Sequence, residues 1–200
     1  GVEPGKDFDP GAVATIDGKK FADAVEKIQK EALAISSDPK GDPYLYDMFK
    51  PKGEMTLEVM LKQSVTGPIG VPAHQAVYPA VATADGQPIN AQHDYVIRMA
   101  KDTMPPATAF WSATLYDLKN GFFIPNDHNK YSVGENAGMK LNEEGGIEIY
   151  IAAEKPEGAA EENWLPISRK DEALDIVMRI YAPDIEKLKK WEMPKAEIVR

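Results

Sequence analysis

Apolar side chains first recur at helical spacing. From Asp17 onward, Phe21, Val25, Ile28, Ala32 and Ile35 follow at steps of four, three, four and three, with Lys, Glu and Gln filling the places between. That stripe predicts an amphipathic α-helix, because residues three and four apart share one face. Asp17 or Thr15 can cap its first turn, Glu26 and Lys30 stand at an i,i+4 spacing, and Ser36-Ser37-Asp38-Pro39 is the expected stop. A second amphipathic helix is expected with Leu57, Met60, Leu61 and Val65 facing inward, ending before Gly67-Pro68.

Beyond Pro72 the period falls from about 3.6 to 2 and turn residues crowd together, as in a meander of antiparallel strands. Strands are expected over Gln75–Thr83, Asp94–Lys101, Ala107–Leu118, Phe122–Pro125, Tyr131–Gly134, Met139–Asn142, Ile147–Ala153, Trp164–Ser168 and Ala173–Tyr181. The last is the plainest, with Leu174, Ile176, Met178 and Ile180 on one face and Asp175, Val177, Arg179 and Tyr181 on the other. Asn120-Gly121 suits a hairpin turn, and Pro183 precedes a helical turn or two and an extended tail. Closely spaced strands without intervening helices predict two packed sheets. The expected fold is mainly β: a helical segment over residues 1–70, then an antiparallel jelly-roll-like sandwich over 71–200.

Composition narrows the function more than the fold. A chain of 200 residues needs no staple to bury one core, and with no cysteine it has neither disulfides nor thiolate chemistry. A net charge of -9 and a pI near 4.9 argue against a nucleic-acid partner, whose phosphates demand clustered Lys and Arg. No run approaches the ~18 apolar residues of a membrane span. The opening Gly1 reads as the start of a processed or trimmed product.

The stretch Pro105-Pro106-Ala107-Thr108-Ala109-Phe110-Trp111-Ser112-Ala113-Thr114-Leu115-Tyr116-Asp117 resembles the central strand of the bacterial family called domain of unknown function 1214. Further matches follow in the same order: Phe123-Ile124-Pro125-Asn126 with Asn129-Lys130-Tyr131-Ser132, then Asn163-Trp164-Leu165-Pro166, then Arg179-Ile180-Tyr181-Ala182-Pro183 with Trp191 downstream. The resemblance covers about Gln75 to Pro194. It implies a jelly-roll domain, an exported and therefore periplasmic or secreted protein, and a companion domain of family 1254, expected here as a separate partner. After Pro166 the chain departs from that pattern with Ile167-Ser168-Arg169-Lys170-Asp171-Glu172, so a pocket built on that loop is not carried over.

Catalytic signatures are lacking. His74, His93 and His128 stand too far apart for a His-x-His or His-x-x-x-His metal pair, and neither metal nor cofactor is expected. Asn126-Asp127-His128-Asn129 lacks the spacing of a calcium loop and reads as an Asx turn. No Gly-x-Ser-x-Gly, phosphate-loop or dinucleotide fingerprint occurs. The ligand-binding candidates are Trp111, Tyr116, Asp117, Asn126, Trp164, Arg179 and Tyr181. One reading gathers Tyr116, Asp117, Arg179 and Trp164 in a concave pocket, with the guanidinium on a carboxylate or sugar hydroxyls and the indole against a ring. The other makes Trp111 and Trp164 core aromatics and pairs Arg179 with Asp117 or Asp175. Three functions stay open: a module binding a small carbohydrate-like or carboxylate ligand or a partner subunit; a hydrolase of an envelope or extracellular polymer using Asp117; and a structural homo-oligomer joined through its helices.

Overall fold

The computed structural model describes residues 3–7, 9–36, 44–51, 53–67 and 69–199. Helix α1 (Gly18–Ser36) is capped by the Asp17 carboxylate, which accepts from the Lys20 backbone N–H at 3.1 Å, and carries the Glu26–Lys30 pair at 2.6 Å. Helix α2 (Leu57–Thr66) starts at Thr56, whose hydroxyl accepts from the Val59 N–H. The expected stop at Ser37-Asp38-Pro39, Pro68, and the side chains of Ala32, Ile35 and Val65 lie outside the described residues.

The inward face expected of α2 requires correction. Leu57, Met60 and Leu61 are exposed, whereas Val59 and Lys62, three residues apart, are buried. The helix is rolled about its axis, turning Val59 and Lys62 inward in place of the expected stripe. Phe21 and Val25 of α1 are exposed too; among the described residues α1 packs chiefly against α2.

Among the described residues eight strands form two four-stranded sheets. They are β1 (Ala76–Val77), β2 (Tyr95–Met99), β3 (Ala107–Asp117), β4 (Ser132–Gly134), β5 (Ile147–Ala152), β6 (Trp164–Pro166), β7 (Leu174–Pro183) and β8 (Ala196–Ile198). One sheet has the order β1-β7-β3-β4 and the other β6-β5-β2-β8. Neighbours run antiparallel except β5 and β6, which are parallel, as their long connection allows. A short helix, α3 (Ile185–Leu188), follows β7 and is capped by Asp184.

The alternation explains the sandwich. Leu174, Ile176, Met178 and Ile180 of β7, with Trp111, Ala113 and Leu115 of β3, meet Ile97, Ile147, Ile149, Ile151 and Leu165 of the facing sheet in one buried cluster. Each large aliphatic chain so buried contributes about 1.5–3 kcal/mol, and together they hold the two sheets face to face.

Several strand boundaries differ from the periodicity. β1 is short because Pro79 has no N–H to give the ladder; the chain stays beside β7 through Met178 N–H to Pro79 C=O, 2.9 Å, and Val81 N–H to Ile176 C=O, 2.8 Å. Residues 139–142 form no strand, since Asn142 is used to close the turn onto Gly145 and Gly146. Of Phe122–Pro125 only Phe123 bridges, to Tyr116. The tail goes further than extended: β8 joins β2, with Arg98 bound to Glu148 at 2.8 Å and to Glu197 at 2.6 Å across three strands.

Candidate functional site

The register of β3 against β7 pairs Phe110 with Tyr181, Ser112 with Arg179, Thr114 with Val177 and Tyr116 with Asp175. Because side chains alternate, sending Trp111, Ala113 and Leu115 into the core sends these eight outward. The outer face of this sheet therefore carries an arginine, an aspartate, three aromatic rings and four hydroxyls, two of them phenolic, on its two central strands.

The loop between β3 and β4 folds back over that face. Phe123 stacks between Tyr116 (ring centroids 5.3 Å apart) and Tyr131 (5.0 Å). Farther along, Phe110 stacks on Tyr181 at 4.4 Å, and Tyr78 meets Tyr181 edge-on at 6.3 Å. Two open cavities result. One, of about 380 Å³, is lined by Thr114, Phe123, Asn129, Lys130, Tyr131, Ser132, Ala137 and Arg179. The other, of about 300 Å³, is lined by Tyr78, Tyr116, Asp117, Leu118, Gly121, Asp175, Val177 and Arg179. Arg179 belongs to both.

Arg179 is half-buried, donates to the Tyr116 hydroxyl and lies 5.6 Å from the centre of that ring. Among the described residues no carboxylate comes within ion-pair distance of it, so its pairing with Asp117 or Asp175 is not seen. Asp117 is occupied otherwise: it accepts from the Asn120 side chain and from the Lys119 N–H at 2.8 Å, which hold its carboxyl below the usual range. A carboxylate engaged in closing a turn is poorly placed for hydrolysis.

Asp175 is different. Burial pushes its carboxyl up, opposed only by the Ile176 N–H. Tyr78, Tyr116, Asp117 and Arg179 share its cavity. With the folded value above the unfolded one, the stability carried by the protonated carboxyl is complete below the ordinary value of 3.8 and is lost as pH rises through the higher folded value. An Asp175→Asn variant is expected to gain on the order of 1 kcal/mol at neutral pH, roughly 2–4 °C in a chain of this size, and nothing at low pH. Thermal melts between about pH 3 and about pH 8 read both.

Thr114 is 1% exposed and lines the larger cavity, yet its hydroxyl has no hydrogen-bond partner. A buried polar group left so costs about 1–3 kcal/mol. Nearby, Lys130 is half-buried and donates to the Glu161 carbonyl; burial pulls its ammonium down.

The remaining candidates lie elsewhere. Asn126 organises the loop, accepting from the Lys130 N–H at 3.1 Å and donating to the Lys130 carbonyl at 2.8 Å. Trp111 points into the core. Trp164 is buried on β6 in the opposite sheet, its indole N–H on the Ala152 carbonyl at 2.8 Å, with His128 packed edge-on to it. The site candidates named from the sequence did not include Tyr78, Thr114, Phe123, Lys130 or, except as a partner for Arg179, Asp175. Thr114 and Asp175 were visible as outward positions of β3 and β7; Phe123 and Lys130 come from a loop, where no period marks them.

The motifs of this face fall inside a match to the family described as Protein of unknown function (DUF1214), over residues 75–185. The chain belongs to the DUF1214 family. Its DUF1214 segment spans every strand that builds the two cavities, β1 to β7. The crystal structure of the VPA0106 protein from Vibrio parahaemolyticus is similar over 98% of this chain and 47% of its own, at 24% identity and a TM-score of 0.62. An uncharacterised protein from Burkholderia cenocepacia is similar over 69% of this chain and 33% of its own, at 19% identity and a TM-score of 0.43. The chain thus spans about half the length of the Vibrio protein, and the likeness extends to the fold. No curated protein matches this DUF1214 member. Among the described residues no helix is long and apolar enough to cross a membrane, and no group of three or more His, Asp or Glu is placed to hold a metal.

Proposed function

We propose that this DUF1214 domain is a binding module that captures a small carboxylate ligand on the outer face of its β1-β7-β3-β4 sheet. One observation carries the reading: the half-buried Arg179 guanidinium stands where two aromatic-walled cavities meet, with a tyrosine hydroxyl and, among the described residues, no carboxylate as its partner. An arginine fork matches a carboxylate with two parallel hydrogen bonds, and a site partly shielded from water strengthens them. Cavities of this size suit a small organic molecule. The export that the family resemblance implies would bring the domain to a ligand outside the cytoplasm, and the absence of cysteine is compatible with either compartment.

The test is a thermal-shift panel of small carboxylates beside their neutral amides, run on the parent chain and on Arg179→Gln. A carboxylate at a hundred times its Kd is expected to add about 2.7 kcal/mol, a rise of several degrees. The amides and the variant are expected to show none. Stabilisation by amide and acid alike, or by no member of the panel, overturns the reading.

A further inference from the structure

The two cavities differ in charge, and the difference bears on what the carboxylate is attached to. The larger is lined by the cations Lys130 and Arg179 and the hydroxyls of Thr114 and Ser132, with no acidic side chain. The smaller has Asp117 and Asp175 at one side and the rings of Tyr78 and Tyr116 as walls. A ligand spanning both therefore offers an anion to one and hydrogen-bond donors on a compact ring to the other.

From this we infer that the ligand is a sugar acid, its carboxylate between Arg179, Lys130 and Thr114 and its hydroxylated ring between Tyr78, Tyr116 and Asp175. The inference rests on the carboxylate reading above and deepens it by naming the chemical class. Thr114 supplies an observation independent of Arg179. Thr114 lines the cation-lined cavity and its fully buried hydroxyl has no partner among the described residues, an unmet donor that a ligand carboxylate oxygen would satisfy. An ordinary structural threonine on a central strand would be solvated or bonded to a neighbour.

The ring half follows from the other cavity. Sugars present apolar C–H faces that lie on aromatic rings and hydroxyls that seek carboxyl oxygens. Tyr78 is 40% exposed at the mouth, open to such a face, while Asp175 sits deeper on β7. The Asp175 carboxyl oxygens accept from ring hydroxyls, which a second anion cannot supply. An aliphatic acid would fill the first cavity and offer the Asp175 carboxyl no hydroxyl beside its Ile176 N–H.

Calorimetric titration of the intact chain with D-glucuronate, D-galacturonate, D-glucose and cyclohexanecarboxylate separates the possibilities. One of the two uronates is expected to bind at least tenfold tighter than either glucose, which lacks the anion, or cyclohexanecarboxylate, which lacks the hydroxyls. Thr114→Val is expected to raise the melting temperature of the free protein and weaken the uronate about tenfold, whereas Thr114→Ser, which keeps the hydroxyl, retains the affinity. Cyclohexanecarboxylate binding as tightly as the uronates would overturn the sugar-acid inference and leave the carboxylate reading standing. So would failure of both uronates while another carboxylate of the panel binds. Glucose binding as tightly as the uronates would remove the carboxylate reading itself. Unchanged affinity in a folded Thr114→Val would remove Thr114 from the site and overturn the seating of the carboxylate against its hydroxyl.

Discussion

Trp111→Ala is expected to lose about 3–5 kcal/mol, the range for deleting a large aromatic from a packed core. Trp111 is 2% exposed at the middle of β3 and belongs to the buried cluster that both sheets share. Its removal takes away transfer energy and leaves a void that the flanking strands cannot close, since each is tied to neighbours along its length. Domains of this kind hold only about 5–15 kcal/mol in all. Denaturant unfolding is the measurement: the midpoint should fall with little change in slope, and the melting temperature by roughly 10 °C. Ligand affinity well below that temperature should be unaffected, because the indole points away from the outer face. A selective loss of binding with unchanged stability would instead make Trp111 part of the site.

Gly134→Ala is expected to be the next most damaging change, at about 2–4 kcal/mol. Gly134 is extended, with φ of 176°, so its backbone angles suit any residue. The difficulty is contact. A Cβ there would stand 2.5 Å from the Trp111 carbonyl oxygen and 2.6 Å from the Ser112 Cβ, both on the strand it pairs with in register. Neither is the free end of a flexible side chain, so β4 must withdraw from β3. That withdrawal carries Ser132, and with it a wall of the larger cavity, away from Thr114. Stability and carboxylate binding should fall together, which melting curves with and without ligand reveal; unchanged binding would show that β4 does not shape the cavity.

How much of this was readable in advance depended on where each residue gets its environment. β7 was legible because both its faces are set by its own alternation: Leu174, Ile176, Met178 and Ile180 are all buried, and Asp175, Val177, Arg179 and Tyr181 stand opposite. β3 gave a mixed signal because its outer face is roofed. Thr114 points outward and is still 1% exposed, since a loop from farther along the chain lies over it. Nothing in the local pattern announces a roof. For the same reason Phe123 and Lys130, present in the family motifs, carried no sign of facing a cavity, while Tyr116, Asp117 and Arg179 could be grouped from strand positions alone.

The helices show the opposite limit. Their stripes were real, but a stripe says which face is apolar and not whether anything packs on it; Phe21 and Leu57 are exposed, and Val59 and Lys62 make the buried contacts of α2. The indole of Trp164 likewise looked like a stacking platform. Its parallel pairing beside β5, a relation between segments with no short-range signature, puts it under the opposite sheet with its N–H on Ala152.

The arrangement of β2 sets a timetable for biosynthesis. β2 lies between β5 and β8, and Arg98 reaches Glu197 across a separation of 99 residues. At ribosomal speed that gap takes about 5–20 s to translate. Until β5 is made both borders of β2 are unzipped, and from then until β8 arrives one still is, an open invitation to a chaperone or to the same strand on a neighbouring polysome. The closing strand is thus a late-arriving seal, and the interval before it arrives is when this protein is most exposed to misassembly.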